Sequence, residues 1–279
     1  MELVVNRFGF NINFRATPAD IHAAADAMLA TQEYHAIEVT YYENMQDVDT
    51  FAYNQAIRQI VEAYHPQVVV HISGFNLSEE NSTIRSAMIH EFRNCCKYTR
   101  ELGGREIVMH CGRMRGSLHV PLAPHSSVYV ESTYERAWIL SVQMFKTCCD
   151  IAKEYGITIY TENLNTEHLT VRCDTLVKFV EAVDRDNLEI VFDIGHCWHT
   201  GGDIPAEVLT CGSHLRHLHL HDNDGNRDQH LNIGDGSIDY KPFCDALKQI
   251  GYSGLYMMEI RTCTPENLRI CKERLLKYM

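Results

Sequence analysis

The stretch LEIVFDIGH, residues 188–196, is a short apolar run that ends in Asp193 and continues to His196. Such a run, rich in β-branched and aromatic residues, is typical of a buried β-strand. An acid that ends an apolar strand is costly to desolvate unless it is paired, hydrogen-bonded or bound to a metal. The stretch therefore predicts a strand whose carboxyl end carries chemistry.

The same kind of strand recurs along the chain and alternates with longer segments of helical periodicity. The predicted strands are residues 3–6, 36–40, 67–72, 106–111, 157–162, 188–193, 215–221 and 255–260. In the first helical segment, Thr17 suits the N-cap and Pro18 the first helical position. Eight strand and helix pairs without a linker predict an α/β fold, namely a (β/α)8 TIM barrel that forms a single domain over residues 1–279. A doubly wound open sheet is the alternative.

Composition and charge limit the classes of function. Hydrophobic residues make up 45% of the chain, and no apolar run is long enough to span a bilayer, so we expect no membrane association. The 25 basic and 37 acidic residues give a net charge of -12, which makes nucleic acid an unfavourable partner. The eleven cysteines form no C-x-x-C motif, and the amino-terminal residues lack the features of a secretory signal. We therefore expect a reducing, cytoplasmic location.

Metal-capable side chains occur at or just after the ends of six predicted strands: His71, His110, Glu162, Asp193, His219 and Glu259. Functional residues of a TIM barrel lie at this end of the strands, where the βα loops meet. One such residue alone could as well be a satisfied core histidine or a turn cap. Six of them together favour convergence on a metal ion.

The segment HLHLHDNDGNRDQH, residues 217–230, extends the predicted site. His217, His219 and His221 share one face of a strand because side chains alternate with a period of two. Only one of the three need be a metal ligand, and we favour His219. Asp228 and His230 form a D-x-H pair on the following loop. Trp198 is expected either to form an apolar wall for a substrate or to belong to ordinary core packing.

Several motifs resemble the xylose isomerase-like TIM barrel superfamily over essentially the whole chain: ENLN at 162–165, FDIGH at 192–196, HLHLHD at 217–222, DQHLNIGDGSID at 228–239 and MMEI at 257–260. This superfamily includes sugar and sugar-phosphate isomerases and epimerases, inosose dehydratases and endonuclease IV.

Similarity to the ketose 3-epimerases of the superfamily implies one divalent ion (Mn, Mg, Co or Zn) with four protein ligands: Glu162, Asp193, His219 and Glu259. The resemblance further implies that Glu162 and Glu259 are the catalytic acid and base, which move a proton beside a metal-polarised carbonyl. His196 would bind a substrate oxygen. The nearest counterpart of the family's sugar-binding arginine is Arg227, eight residues after His219.

The alternative function is that of an endonuclease IV-like multi-zinc phosphodiesterase acting on abasic DNA. The nine ligand positions of that enzyme have counterparts here: His71, His110, Glu162, Asp193, His196, His219, Asp228, His230 and Glu259. The five of these residues that lie outside the four-ligand set would bind further ions or the substrate.

The mainly acidic or neutral loops around the predicted site favour an isomerase or epimerase of a monosaccharide, sugar phosphate or cyclitol over a nuclease. A related sugar lyase or dehydratase, and a sugar-binding barrel without catalysis, are the remaining alternatives. Association into a homo-oligomer stays open.

Overall fold

The structure is a computed structural model that describes residues 7–13, 16–41, 50–114, 118–123, 126–130 and 133–279. The strands in these residues are Phe8–Ile12 (β1), Ala36–Thr40 (β2), Gln67–Ile72 (β3), Glu106–Met109 (β4), Leu118–Ala123 (β5), Ser126–Val130 (β6), Thr158–Glu162 (β7), Leu188–Asp193 (β8), Leu215–Leu220 (β9) and Leu255–Met258 (β10). The α-helices are Pro18–Met28 (α1), Thr50–Tyr64 (α2), Ser82–Glu101 (α3), Tyr134–Glu154 (α4), Cys173–Val183 (α5), Ile194–His199 (α6), Ile204–Cys211 (α7), Tyr240–Gln249 (α8) and Pro265–Leu276 (α9).

Eight parallel strands close into a barrel in the order β1, β2, β3, β4, β7, β8, β9, β10 and back to β1. The other two strands, β5 and β6, form an antiparallel hairpin between β4 and α4. Helices lie between successive barrel strands, so the predicted (β/α)8 TIM barrel is confirmed. No helix in the described part of the chain combines the length and the apolar character needed to cross a membrane.

Seven of the predicted strands match observed strands to within two residues at each end. The strand predicted at residues 3–6 lies outside the described residues, and the first barrel strand is Phe8–Ile12. Gly9 weakens the strand signal of this segment, because glycine is unfavourable inside a strand. The site is crowded, since a Cβ at residue 9 would lie 2.7 Å from Cε of Met257 on the neighbouring strand, and a larger residue there would require the Met257 side chain to shift.

The start of the first helix follows the prediction. Thr17 is the N-cap of α1, and its hydroxyl accepts a hydrogen bond from the backbone N–H of Asp20. The Asp20 carboxylate accepts one from the Thr17 backbone N–H, which completes a capping box. Pro18 occupies the first turn, where no backbone donor is needed.

The barrel interior contains a separate apolar cluster, distinct from the larger core between strands and helices: Ala36, Val69, Val108, Tyr160, Val191, Leu255 and Met257. Fully burying a valine or leucine side chain contributes about 1.5–3 kcal/mol. Two residues further along the same strands, on the same side by the period of two, come Glu38, His71, His110, Glu162, Asp193 and Glu259. The apolar cluster therefore fills the barrel below, and a polar layer lies at its carboxyl end.

Candidate metal centre

All nine metal-capable residues predicted from the sequence lie together at the carboxyl end of the barrel. Seven of them line one cavity of about 370 Å³: His71, His110, Glu162, His196, Asp228, His230 and Glu259. Asp193 and His219 are fully buried directly beneath it. The fold thus brings together side chains from β3, β7, β8, β9 and α6 and from the segments that follow β4, β9 and β10.

The central group consists of His219 and three carboxylates. Nδ1 of His219 lies 3.1 Å from Oε2 of Glu162, 3.3 Å from Oε2 of Glu259 and 3.8 Å from Oδ2 of Asp193. Nitrogen and oxygen ligands bound about 2.0–2.2 Å from one divalent ion are themselves separated by roughly 3–4 Å. Each of the three carboxylates therefore lies at a distance from Nδ1 of His219 that two ligands of one divalent cation can have.

A second group adjoins the first through Glu162. Nε2 of His71 and Nε2 of His110 are 3.1 Å apart, and His110 Nε2 lies 2.8 Å from Oε1 of Glu162. Despite these distances, Oε1 is buried and makes no aligned hydrogen bond within the described residues. Buried acceptors are rarely left in this state. Two ring nitrogens and one such oxygen facing each other are a donor set that a second cation would satisfy.

A third group lies on the opposite side of the cavity. Nε2 of His196 and Nε2 of His230 lie 3.3 Å and 3.2 Å from Oδ2 of Asp228. Each histidine is oriented by a backbone carbonyl at its other nitrogen: His196 Nδ1 lies 3.1 Å from the oxygen of Asn163, and His230 Nδ1 lies 2.7 Å from that of Glu259. These contacts direct both Nε2 atoms towards the same carboxylate, which makes this group a further candidate ligand set.

Local hydrogen bonds hold Asp193 in place. The side-chain amide of Asn163 donates to the Asp193 carbonyl at 2.8 Å and accepts from the Asp193 backbone N–H at 2.8 Å. Oδ1 of Asp193 accepts from the backbone N–H of His196 at 2.6 Å, as an N-cap of α6. The motif FDIGH thus holds the candidate ligand Asp193 in place and begins the short helix α6, which carries the candidate ligand His196.

Buried negative charge dominates the electrostatics of the site. Burial opposes ionisation of Asp193, but the charges of His196 and His221 hold its pKa at about 2. Burial likewise lowers the pKa of His196, yet Asp193 and Asp228 raise it to about 10. The pKa of His230 is raised to about 9, because burial, which lowers it, is outweighed by the hydrogen bond that His230 donates to Asp228 and by the nearby carboxylate charges. Protons on histidines therefore balance the carboxylates in the metal-free site, and divalent cations would take over this role.

Two predicted substrate-binding residues lie elsewhere. The Arg227 side chain is 76% exposed at the tip of the loop after β9, where it faces Asp224 at 4.0 Å. Nε1 of Trp198 donates a hydrogen bond to Oγ of Ser237, and its ring packs against the core. Neither residue is among those that line the cavity. Of the three residues assigned to substrate binding, the structure brings only His196 to the cavity.

The sequence interpretation missed Glu38 and His168. Glu38 is fully buried inside β2, in the strand AIEVT, beside the central group. Its signal was an acid within an apolar strand, which is as costly to desolvate as an acid at a strand end. His168 lines the cavity, and its ring meets that of His110 edge to face, with centroids 5.7 Å apart. His168 belongs to a loop, where periodicity gives no signal.

Comparisons with known proteins support the fold described above. A family model described as "Xylose isomerase-like TIM barrel" matches residues 27–274. An uncharacterised protein of Methanocaldococcus jannaschii is 30% identical over 211 residues, which cover 73% of this chain and 67% of that protein. An inosose isomerase of Bacillus velezensis is 25% identical over 197 residues, covering 68% and 65% of the two chains.

A solved structure extends the likeness to nearly the whole chain. The crystal structure of a D-tagatose 3-epimerase-like protein superposes with a TM-score of 0.73 at 23% sequence identity and covers 98% of both chains. At this level of identity the likeness shows the fold alone, and function has to be argued from the site.

Proposed function

We propose that this chain, which belongs to the xylose isomerase-like TIM barrel family, is a divalent-metal-dependent isomerase or epimerase. Its substrate is a monosaccharide, sugar phosphate or cyclitol, and the reaction is proton transfer beside a carbonyl. The relatives include an inosose isomerase, which supports a cyclitol or sugar as substrate class. The observation that carries the proposal is the pair of carboxylates, Glu162 and Glu259, which lie 3.1 Å and 3.3 Å from Nδ1 of His219 and both line the cavity.

Four residues would hold the cation: Glu162, Asp193, His219 and Glu259. When bound, a divalent ion supplies Lewis-acid polarisation of substrate oxygens, which acidifies the adjacent C–H bond. Asp193 and His219 are fully buried and lie away from the cavity wall, so their role is confined to holding the ion. Glu162 and Glu259 line the cavity as well and can reach the substrate.

The two glutamates are suited to acid–base work. Burial raises the pKa of Glu162, but the neighbouring His110 at 2.8 Å and the hydrogen bond and charge of His219 hold it well below the usual range, so this carboxylate is ionised at neutral pH. Glu259 follows a different strand, β10, and its side chain is 16% exposed. One carboxylate removes the proton beside the carbonyl, and the other returns a proton to the resulting enediolate.

The remaining cavity wall suits a polyhydroxylated molecule. Its polar lining residues outside the ligand groups are Asn11, Asn13, Thr40, Ser73, Asn165, His168 and Arg261. Amides, hydroxyls and an imidazole offer both donors and acceptors to sugar hydroxyl groups. A cavity of about 370 Å³ is within the usual range for small-molecule sites.

A panel of substrates tests the proposal. The purified protein, loaded separately with Mn²⁺, Mg²⁺, Co²⁺ or Zn²⁺, is incubated with ketohexoses, ketopentoses, their phosphates and inososes, and products are identified by NMR. We expect an isomer of at least one substrate to form, and formation to stop when a chelator removes the ion. Conversion that is unaffected by complete metal removal would contradict metal dependence.

A phosphodiesterase is the second candidate function, and one observation favours it. The first two ligand groups share Glu162, and residues of all three groups line a single cavity, as expected for a cluster of ions that activates water and binds a phosphate. The charge of the chain opposes a nucleic-acid substrate, since the net charge is -12 and Arg261 is the only arginine or lysine among the described residues lining the cavity. Nicking of an abasic duplex by the zinc-loaded protein would support this function over the isomerase.

A further inference from the structure

Glu38 is a buried carboxylate that the proposed reaction does not use. It lies inside β2, is fully buried, and does not line the cavity. A buried carboxylate without a partner is costly, so its contacts should explain its presence.

Each carboxylate oxygen of Glu38 faces a histidine from a different ligand group. Oε2 lies 3.1 Å from Nε2 of His219, which belongs to the central group. Oε1 lies 3.3 Å from Nδ1 of His71, which belongs to the second group, and 3.4 Å from Nδ2 of Asn11. Nε2 of His217 is a further 3.4 Å neighbour of Oε2. One carboxylate therefore touches candidate ligands on β3 and β9 at once.

The contacts require opposite tautomers of the two candidate ligands. An ionised Glu38 carboxylate can only accept, so Nε2 of His219 carries a proton and donates it to Oε2. For the same reason Nδ1 of His71 carries a proton and donates it to Oε1. With a cation bound among the three carboxylates, Nδ1 of His219 would be the unprotonated nitrogen that faces it. An ionised carboxylate accepts at both oxygens and can satisfy both histidines.

We propose that Glu38 is a positioning residue that sets the tautomers and ring orientations of His219 and His71 and so presents Nδ1 of His219 to the divalent cation of the central group and directs Nε2 of His71 towards His110 and Glu162. Carboxylates that accept from the second nitrogen of a metal-bound histidine raise its basicity and fix its orientation. The inference rests on the metal dependence in the proposed function, but not on the identity of the substrate.

Metal affinity is the first test. Zn²⁺ binding to the whole protein is measured by competition with a chromophoric chelator for wild type, Glu38→Gln and Glu106→Gln. Glutamine has one acceptor and one donor group, so it cannot accept from both histidines. We expect Glu38→Gln to weaken Zn²⁺ binding about 10–100-fold.

The control removes another carboxylate from a barrel strand. Glu106, on β4 beside the apolar end of the barrel interior, accepts from Gln67 at 2.5 Å and from Tyr160 at 3.1 Å and touches none of the ligand groups. Its glutamine variant should keep the wild-type affinity. Equal affinities of wild type and a folded Glu38→Gln variant would overturn the positioning role.

The tautomers can be determined in the wild-type protein, so the proposal can still be tested if Glu38→Gln does not fold. Long-range ¹H–¹⁵N NMR on the zinc-loaded protein should show the proton of His219 on Nε2 and that of His71 on Nδ1, with assignments from His219→Asn and His71→Asn spectra. A proton on Nδ1 of His219 would overturn the proposal. The NMR experiment contains no substrate and so does not depend on turnover. If the protein shows the expected tautomers but converts no sugar, the role of Glu38 stands and only the isomerase function is rejected.

Discussion

Asp193 and His219 are register partners on the adjacent parallel strands β8 and β9, and Oδ2 of the first lies 3.8 Å from Nδ1 of the second. Neighbouring positions on parallel strands point to the same side of the sheet, so both side chains enter the barrel together. Glu162, one strand further along, is the register partner of Val191, two residues before Asp193, so it points to the same side as Asp193. Convergence of these ligands is therefore a consequence of strand register rather than of loop conformation.

Removal of one ligand of the central group should remove the stabilisation that the metal provides. A cation present at about 100 times its Kd stabilises a protein by about 2.7 kcal/mol, which corresponds to several degrees in Tm for a chain of this size. We expect added Mn²⁺ or Zn²⁺ to raise the Tm of the wild type by this amount and to have little effect on Asp193→Asn. Thermal unfolding with added metal and with chelator measures both, and equal metal-induced shifts in the two proteins would count against the site.

The number of bound ions separates the two candidate functions. For the isomerase, elemental analysis of the dialysed protein should give about one divalent ion per chain, as a single-ion sugar site requires. The variants His110→Asn and His230→Asn, each from outside the central group, should then leave the count unchanged. About three ions in the wild type, reduced by one in each variant, would instead favour the phosphodiesterase.

The metal-free protein should lose stability as the pH rises above neutrality. The pKa values of His196 and His230 are raised from 6.5 to about 10 and about 9, so their stabilising contribution is fully present below pH 6.5 and is lost as the pH rises through these values. We expect the Tm of chelator-treated protein to fall between pH 7 and pH 10, and to fall less in His196→Gln. A metal-free Tm that is constant or rises over this range would refute the expectation that protonated histidines balance the buried carboxylates.

Gly195 should tolerate no side chain. A Cβ at this position would lie 2.0 Å from Cε1 of His221, whose Nε2 contacts both oxygens of Asp193 at 3.2 Å. Overpacking of this kind costs about 1–3 kcal/mol, so Gly195→Ala should lower the free energy of unfolding by that amount and weaken metal binding. Gly74→Ala is the matched control, because a Cβ there meets nothing within 4 Å. Denaturant unfolding and zinc titration of both variants provide the comparison, and equal behaviour would show that His221 can move without loss.

The barrel and its candidate ligands could be predicted because their signals are local. Apolar runs that end in Glu162 or Asp193 indicate, within a few residues, a strand, its carboxyl end and a metal-capable side chain at that end. Glu38 could not be assigned in this way, because AIEVT also fits a half-exposed strand, and the burial of its acid depends on histidines from β3 and β9. The single-domain boundaries, the cytoplasmic location and the oligomeric state stay predictions.

Loop residues were harder to place for a different reason. The segment after β9 is held by Asp222, whose carboxylate accepts hydrogen bonds from the backbone of Gly234 at 2.8 Å and Ile238 at 3.1 Å. These contacts span more than ten residues and turn Asp228 and His230 towards the cavity, while Arg227 faces solvent. Sequence spacing from His219 alone does not contain this information.

Hydrogen exchange at the substrate tests the central claim most directly, because it reports proton transfer by Glu162 and Glu259. A substrate found in the panel is incubated in heavy water with the metal-loaded wild type, Glu259→Gln, Glu162→Gln or Glu167→Gln, the last being an exposed control in the loop after β7. We expect deuterium at the carbon beside the carbonyl with wild type and control, and rates about 10²–10⁴-fold lower in the other two variants. Full exchange by folded, metal-loaded Glu162→Gln and Glu259→Gln would contradict the assignment of these carboxylates as acid and base.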